Sequence, residues 1–116
     1  MSRTRDTADI IAIKDFDHSS TTSSTSQVAL DEFSVTRFRS AKYQLQVTRG
    51  TDYHTSEFLV VHDGTSTFNT EYGTITTGNI LASFDSDISG GNVRLLITPA
   101  STDSTTFKLI RTSIPV

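Results

Sequence analysis

From Gln27 onward, apolar and polar side chains alternate in short runs. Ala41, Tyr43, Leu45 and Val47 interleave with Lys42, Gln44, Gln46 and Thr48, a period of two that predicts a strand with one buried and one wet face. Val93, Leu95 and Ile97 repeat the pattern. So do Ile80, Ala82, Phe84 and Ile88, with one polar interruption at Ser86, while Phe107, Leu109 and the alternate set Ile110 and Ile114 close the chain. Between these runs stand turn formers: Arg49-Gly50-Thr51-Asp52, Asp63-Gly64, Thr77-Gly78-Asn79, Ser89-Gly90-Gly91-Asn92 and Pro99-Ala100-Ser101-Thr102-Asp103. Asp63-Gly64 and Gly90-Gly91 supply the positive φ angles of tight hairpins. The spacing predicts strands over 27–34, 40–49, 55–62, 67–76, 80–87, 92–98 and 105–113, and no segment carries a 3.6-residue stripe. About seven hairpin-linked strands predict an all-β fold, an antiparallel β-sandwich of immunoglobulin-like or jelly-roll-like type, over residues 27–116.

Two segments depart from this rhythm. Residues 18–26 read His-Ser-Ser-Thr-Thr-Ser-Ser-Thr-Ser, with nothing to bury, and upstream lies a short apolar island, Ile10-Ile11-Ala12-Ile13 to Phe16. The expectation is an extended N-terminal arm over 1–26, its Ser/Thr run a tether. Ile10, Ile11, Ile13 and Phe16 would then be its contacts with a neighbour, made by adding a strand to a sheet edge. In Phe58-Leu59-Val60-Val61 both parities are apolar, which predicts a strand covered on both sides, with Phe58 and Val60 assigned to a contact with another subunit. A homo-oligomer, for instance a trimer, follows as the expectation.

Composition narrows the function classes. The 116 residues include 16 serines and 20 threonines, no cysteine and no tryptophan, so thiolate metal sites, disulfides and cysteine nucleophiles are excluded. The formal charge of −3 argues against a nucleic-acid binder. Charge is uneven, with seven basic and six acidic residues in 1–50 against three and seven in 51–116. The longest apolar runs are four residues, against the roughly 20 a membrane-spanning helix needs. The start, Met1-Ser2-Arg3-Thr4-Arg5, has no apolar core of a secretory signal, so folding in a cytoplasm is expected.

Candidate chemistry is sparse. His18, His54 and His62 show no metal-ligand spacing, and His62 is expected to end a strand with its ring bonded to the following turn. With so many hydroxyls, a Ser/His/acid set can be written anywhere, and there is no Gly-x-Ser-x-Gly elbow. Asp85-Ser86-Asp87 before Gly90-Gly91 is loosely like a calcium loop but lacks the closing Glu, and reads better as a polar turn. Glu57 and Glu71 read as solvated outer-face carboxylates. Arg37, Arg39 and Lys42 read as a basic cover over a sheet edge or as a contact for an acidic partner surface. No enzyme, metal or cofactor is expected.

Several blocks in succession carry a resemblance: Phe38-Arg39-Ser40-Ala41-Lys42-Tyr43-Gln44-Leu45-Gln46-Val47-Thr48; Leu59-Val60-Val61-His62-Asp63-Gly64-Thr65; Thr70-Glu71-Tyr72-Gly73-Thr74; Phe84-Asp85-Ser86-Asp87-Ile88-Ser89-Gly90-Gly91-Asn92-Val93-Arg94-Leu95; and Lys108-Leu109-Ile110-Arg111-Thr112-Ser113-Ile114. Over roughly 27–114 the chain resembles a β-sandwich structural module of tailed-phage virion proteins, including those of marine phages that infect cyanobacteria. The resemblance implies a virion component without catalytic residues: a capsid decoration or cement protein, or a neck or tail accessory protein, whose partners are copies of itself and other virion proteins. The rival expectation is a tail or collar fibre adhesin that binds host surface glycan, with Tyr53, His54 and Tyr72 as contacts.

Overall fold

The computed structural model describes residues 16–116, with side chains from His18 onward. Eight strands and no helix occupy these residues: β1 (Phe16–Thr22), β2 (Val28–Ser34), β3 (Phe38–Arg49), β4 (Asp52–His62), β5 (Thr67–Thr76), β6 (Ala82–Ser89), β7 (Asn92–Pro99) and β8 (Thr105–Pro115). They form two antiparallel sheets, one of five strands in the order β1-β8-β3-β4-β5 and one of three in the order β2-β7-β6. The expected sandwich is therefore present, with an eighth strand. Arg49 pairs with Asp52 and Ser89 with Asn92, so both hairpins turn on two residues. Gly90 and Gly91 hold φ of 60° and 81°, the doubly positive geometry whose twist matches the flanking strands.

The core fills from the period-two positions. Tyr43, Leu45 and Val47 of β3, Phe58 and Val60 of β4, and Phe107 and Leu109 of β8 face Val93, Leu95 and Ile97 of β7 and Leu30 and Phe33 of β2. Three strands cannot cover five, so β5 overhangs the smaller sheet and is exposed along almost its whole length. Besides its backbone ladder with β4, it is held by hydroxyl and amide contacts to β6. Asn69 donates to Ser86 Oγ at 2.6 Å, and Ser86 donates to Thr67 Oγ1 at 2.8 Å, which accounts for the polar interruption in the β6 pattern.

Two expectations are corrected, and a third falls mostly outside the described residues. The Ser/Thr run assigned to a tether is, over Phe16–Thr22, the edge strand β1, paired with β8 from Phe16–Arg111 to Thr22–Thr105. An edge strand needs no apolar face, and hydroxyl side chains tolerate water on both sides while the backbone completes the β8 ladder. Phe16 opens that strand, whereas Ile10, Ile11 and Ile13 lie outside the described residues. In the two-faced strand, Phe58 and Val60 are each 1% exposed, sealed in the core opposite Tyr43 and Ala41. The outward pair is Leu59 and Val61, at 44% and 41% exposure. The strand is therefore covered on one face only, and the parity assigned to the subunit contact is the core parity.

Candidate functional site

Polar side chains gather in three places. The first is inside the sandwich. β2 carries a bulge between Ala29 and Asp31, which lets Leu30, Asp31 and Phe33 all face inward. Asp31 Oδ2 accepts a 2.8 Å bond from the Tyr43 hydroxyl and a 2.9 Å bond from Arg111 Nη1. The Arg111 and Asp31 side chains are only 13% and 7% exposed. The guanidinium also lies 5.5 Å from the Phe33 ring centre and 5.7 Å from that of Phe38. Burial, followed by the negative Asp31, pushes the Tyr43 phenol far above its ordinary range. The cluster ties β2 of the smaller sheet to β3 and β8 of the larger.

The second place holds the two buried histidines. His54 Nδ1 accepts a 3.1 Å bond from the Leu81 backbone N–H, so in the neutral ring Nε2 carries the proton and donates to Ser56 Oγ at 3.2 Å. Ser56 in turn donates to Glu71 Oε2 at 2.7 Å, which also accepts from Thr74 at 3.0 Å. Ser56, His54 and an acid thus lie together, but the roles are reversed from those of nucleophilic catalysis. The imidazole nitrogen that meets the hydroxyl is a donor, and the serine hands its own proton to the carboxylate. Burial holds the His54 pKa below its ordinary value, which keeps this tautomer neutral. His62 repeats the arrangement: Gly64 N–H donates to Nδ1 at 2.9 Å and Nε2 donates to the Phe38 carbonyl at 2.7 Å. Its ring is bonded to the turn, as expected.

The third place is the outer face of the five-stranded sheet. Backbone register lays its side chains in rows across the strands. One row reads Ile114, Ser40, Val61, Phe68; the next reads Lys42 and Leu59, with Thr112 and Thr70 at its ends. Beyond them come Ile110, Gln44, Glu57 and Tyr72, and then Lys108, Gln46, Thr55 and Ile75. Leu59, Val61, Phe68 and Ile114, between 41% and 61% exposed, form an apolar patch at one end. At mid-face, Lys42 lies 3.1 Å from Glu57 Oε1, which also accepts the Tyr72 hydroxyl at 3.1 Å. The bonds from Lys42 and then Tyr72 hold the Glu57 carboxyl below its usual range. The far end is hollowed into two adjoining grooves of about 400 Å³ and 290 Å³, both lined by Gln46 and Thr55.

Against this map the predicted contacts separate. Tyr53 and Tyr72 stand on the outer face, 50% and 41% exposed, but His54 is 1% exposed and unable to touch a ligand in solution. Glu57 is an outer-face carboxylate as expected, whereas Glu71 lies opposite Phe58 on the other side of the sheet. Asp87 takes a bidentate pair from Arg94 at 2.7 and 2.6 Å, and among the described residues no group of three His, Asp or Glu side chains is placed to hold a metal ion. Arg39 donates to the His62 carbonyl, and Arg37 lies over the Phe38 ring. Sequence reading missed Asp31 and Arg111. The available signal was the three-residue gap between Leu30 and Phe33 in an otherwise period-two strand.

Fold and site together define a sandwich with a polar cluster at Asp31, Tyr43 and Arg111, two buried histidines held by backbone groups, and a mixed apolar and amide-bearing outer face on the larger sheet. No protein-family model matches the chain, and no curated protein matches it. Among solved structures it is similar to the tailspike protein of Acinetobacter phage vB_ApiP_P1, with a TM-score of 0.48 and 18% identity over 89% of this chain and 21% of that one. It is also similar to the tailspike protein of Acinetobacter baumannii phage AM24, with a TM-score of 0.43 and 8% identity over 90% of this chain and 27% of that one. The chain therefore spans about a fifth and about a quarter of those proteins.

Proposed function

We propose that this chain is a structural module of a tailed-phage virion, without catalytic activity, that assembles with copies of itself through the apolar end of its larger sheet. The observation that carries the reading is the outer patch of Leu59, Val61, Phe68 and Ile114 on the larger sheet, whose strands β3, β4 and β8 already bury their inner side chains in the core. Exposed aliphatic and aromatic side chains grouped in neighbouring rows are a feature of association surfaces rather than of a bare monomer. The resemblance of its sequence blocks to phage virion modules supports the same role. So does a body whose buried Asp31, His54 and His62 side chains are each bonded to neighbouring groups. The apolar island from Ile10 to Ile13 supplies a further segment for contact with other virion proteins.

Light scattering on the full chain tests the proposal. The unaltered protein is expected to run as an oligomer at tens of micromolar, and the double variant Leu59→Thr/Val61→Thr as a monomer with its β-sheet circular dichroism retained. A monomeric unaltered protein, or a variant that keeps the same mass, would overturn the interface. Copy number per particle then separates the possible placements: hundreds fit capsid decoration, and few fit the neck or tail.

A further inference from the structure

The polar end of the larger sheet has features that self-association through the apolar end does not use. Gln44 and Gln46 project from the same face of β3, about 7 Å apart along the strand. Among the described residues neither amide has a hydrogen-bond partner, nor does the Lys108 ammonium, which stands directly opposite Gln46 on β8. All three are exposed. Thr55, opposite Gln46 on the other side, donates its hydroxyl proton to the Leu45 carbonyl at 2.9 Å and so offers its oxygen as an acceptor. Apolar surface flanks the polar set: Ile110 on one side, and Tyr53 with Ile75 on the other, at 43%, 50% and 67% exposure. None of the residues lining the two grooves is a carboxylate; in the neighbouring row Glu57 is paired with Lys42, and Asp17 stands opposite Ile110 on β1.

The geometry points to a binding site for an acidic oligosaccharide, one bearing uronate carboxylates, lying across β8, β3, β4 and β5. Each part of the site matches one part of such a ligand. A side-chain amide presents a donor and an acceptor in one plane, the pairing that two neighbouring ring hydroxyls require, and here two amides repeat along one strand. Lys108 supplies an unpaired cation for a carboxylate. Tyr53, Ile75 and Ile110 receive the C–H faces of the rings. Three strand spacings of about 4.8 Å give the adjoining grooves a run of about 14 Å, long enough for an extended chain and not for a single small ion. Their volumes fall near the about 300–1,000 Å³ of small-ligand sites. Neutral sugars would satisfy the amides but leave the ammonium without its counter-charge.

The test uses the full chain and two probes: a hexasaccharide of alternating glucuronic acid and N-acetylglucosamine, and the neutral isomaltohexaose. Titration followed by NMR is expected to shift the Gln44 and Gln46 side-chain amide signals with the acidic probe. Lys108→Gln should weaken that binding at least tenfold and Gln46→Thr at least fivefold, while both variants keep the unaltered circular dichroism. Both positions are exposed strand sites, so the fold should survive either change. Leu59→Thr/Val61→Thr should bind the acidic probe as the unaltered protein does, which separates this site from the assembly surface. Absence of any shift at millimolar probe, equal affinity for the neutral probe, or affinity unchanged by Lys108→Gln would each overturn the assignment.

Discussion

Replacing Asp31 with alanine removes the one carboxylate that both Tyr43 and Arg111 address inside the sandwich. The cost follows from what is left behind. Breaking a buried ion pair on one side costs about 3–5 kcal/mol, because the surviving charge stays out of water without its partner. Arg111 keeps a bond to the Glu32 carbonyl at 3.1 Å and its place over two phenylalanine rings, so the loss should fall near 3 kcal/mol, the lower limit of that range. For a domain of this size that lowers the melting temperature by about 12–24 °C. Tyr43→Phe removes one hydrogen bond to a charged acceptor and should cost less, about 1.5–3 kcal/mol. The decisive variant is Asp31→Leu/Arg111→Met. If the penalty of Asp31→Ala includes an uncompensated charge, removing both charges and refilling the space should recover that share, leaving the cost of about 1–3 kcal/mol for the Tyr43 hydroxyl that has lost its acceptor. Urea unfolding followed by circular dichroism measures all three. The reasoning is refuted if Asp31→Ala costs under about 1 kcal/mol, or if the double variant is no more stable than the single one.

Two further outcomes follow from the hydrogen-bond geometry. His54 has its pKa lowered by burial, so in the acid range the unfolded chain binds a proton that the folded chain refuses, and stability should fall as pH drops below the ordinary histidine value of about 6.5. His54→Gln keeps an acceptor for Leu81 and a donor for Ser56, and should flatten the urea midpoint between pH 7.5 and 5 relative to the unaltered protein; an identical slope would remove His54 from the account. The carboxyls of Glu57, Asp63 and Asp87 are held low, so their contributions persist at these pH values and are lost only at stronger acidity. Gly73 holds φ of 65° in β5, beside the register shift between Thr55 and Glu57, with open space where a Cβ would go. Gly73→Val should therefore cost only the backbone penalty, about 1–2 kcal/mol, and should also raise aggregation on heating by straightening an exposed edge; unchanged melting would show that the turn relaxes freely.

Much of the fold was legible because one-sided burial imposes a period of two, and β3, β7 and β8 obey it almost without exception. What escaped had physical reasons. β1 has no apolar face, since a strand at a sheet edge is recruited through its backbone, and hydroxyl side chains look the same in a strand and in a tether. β5 was placed over its full length even though both its faces are wet, because Thr, Phe, Tyr and Ile retain strand preference where burial gives no signal. In Phe58-Leu59-Val60-Val61 the apolar content of both parities was visible, but which parity met the core depended on register with Ala41 and Tyr43, a long-range fact. The buried Tyr43–Asp31–Arg111 cluster joins residues up to 80 positions apart. Only the bulge that turns Asp31 inward left a local trace.

The division of polar residues between inside and outside shapes how this molecule can work. Inside, each histidine receives a backbone N–H on Nδ1 and spends its Nε2 proton on a fixed acceptor, so proton movement would break the packing that holds the sheets. The acid within that set, Glu71, already accepts the hydroxyl protons of Ser56 and Thr74. The interior therefore uses its polar groups to pin β2, β4 and β5, which a small core with overhanging strands requires. Outside, the five-stranded sheet presents an apolar end and an amide-rich end on one continuous face, with the bonded set Lys42–Glu57–Tyr72 between them. Because that set satisfies its own charges, the two ends can be altered independently. A substitution at Leu59 that disturbed saccharide binding, or one at Gln46 that disturbed assembly, would show instead that the face acts as one surface.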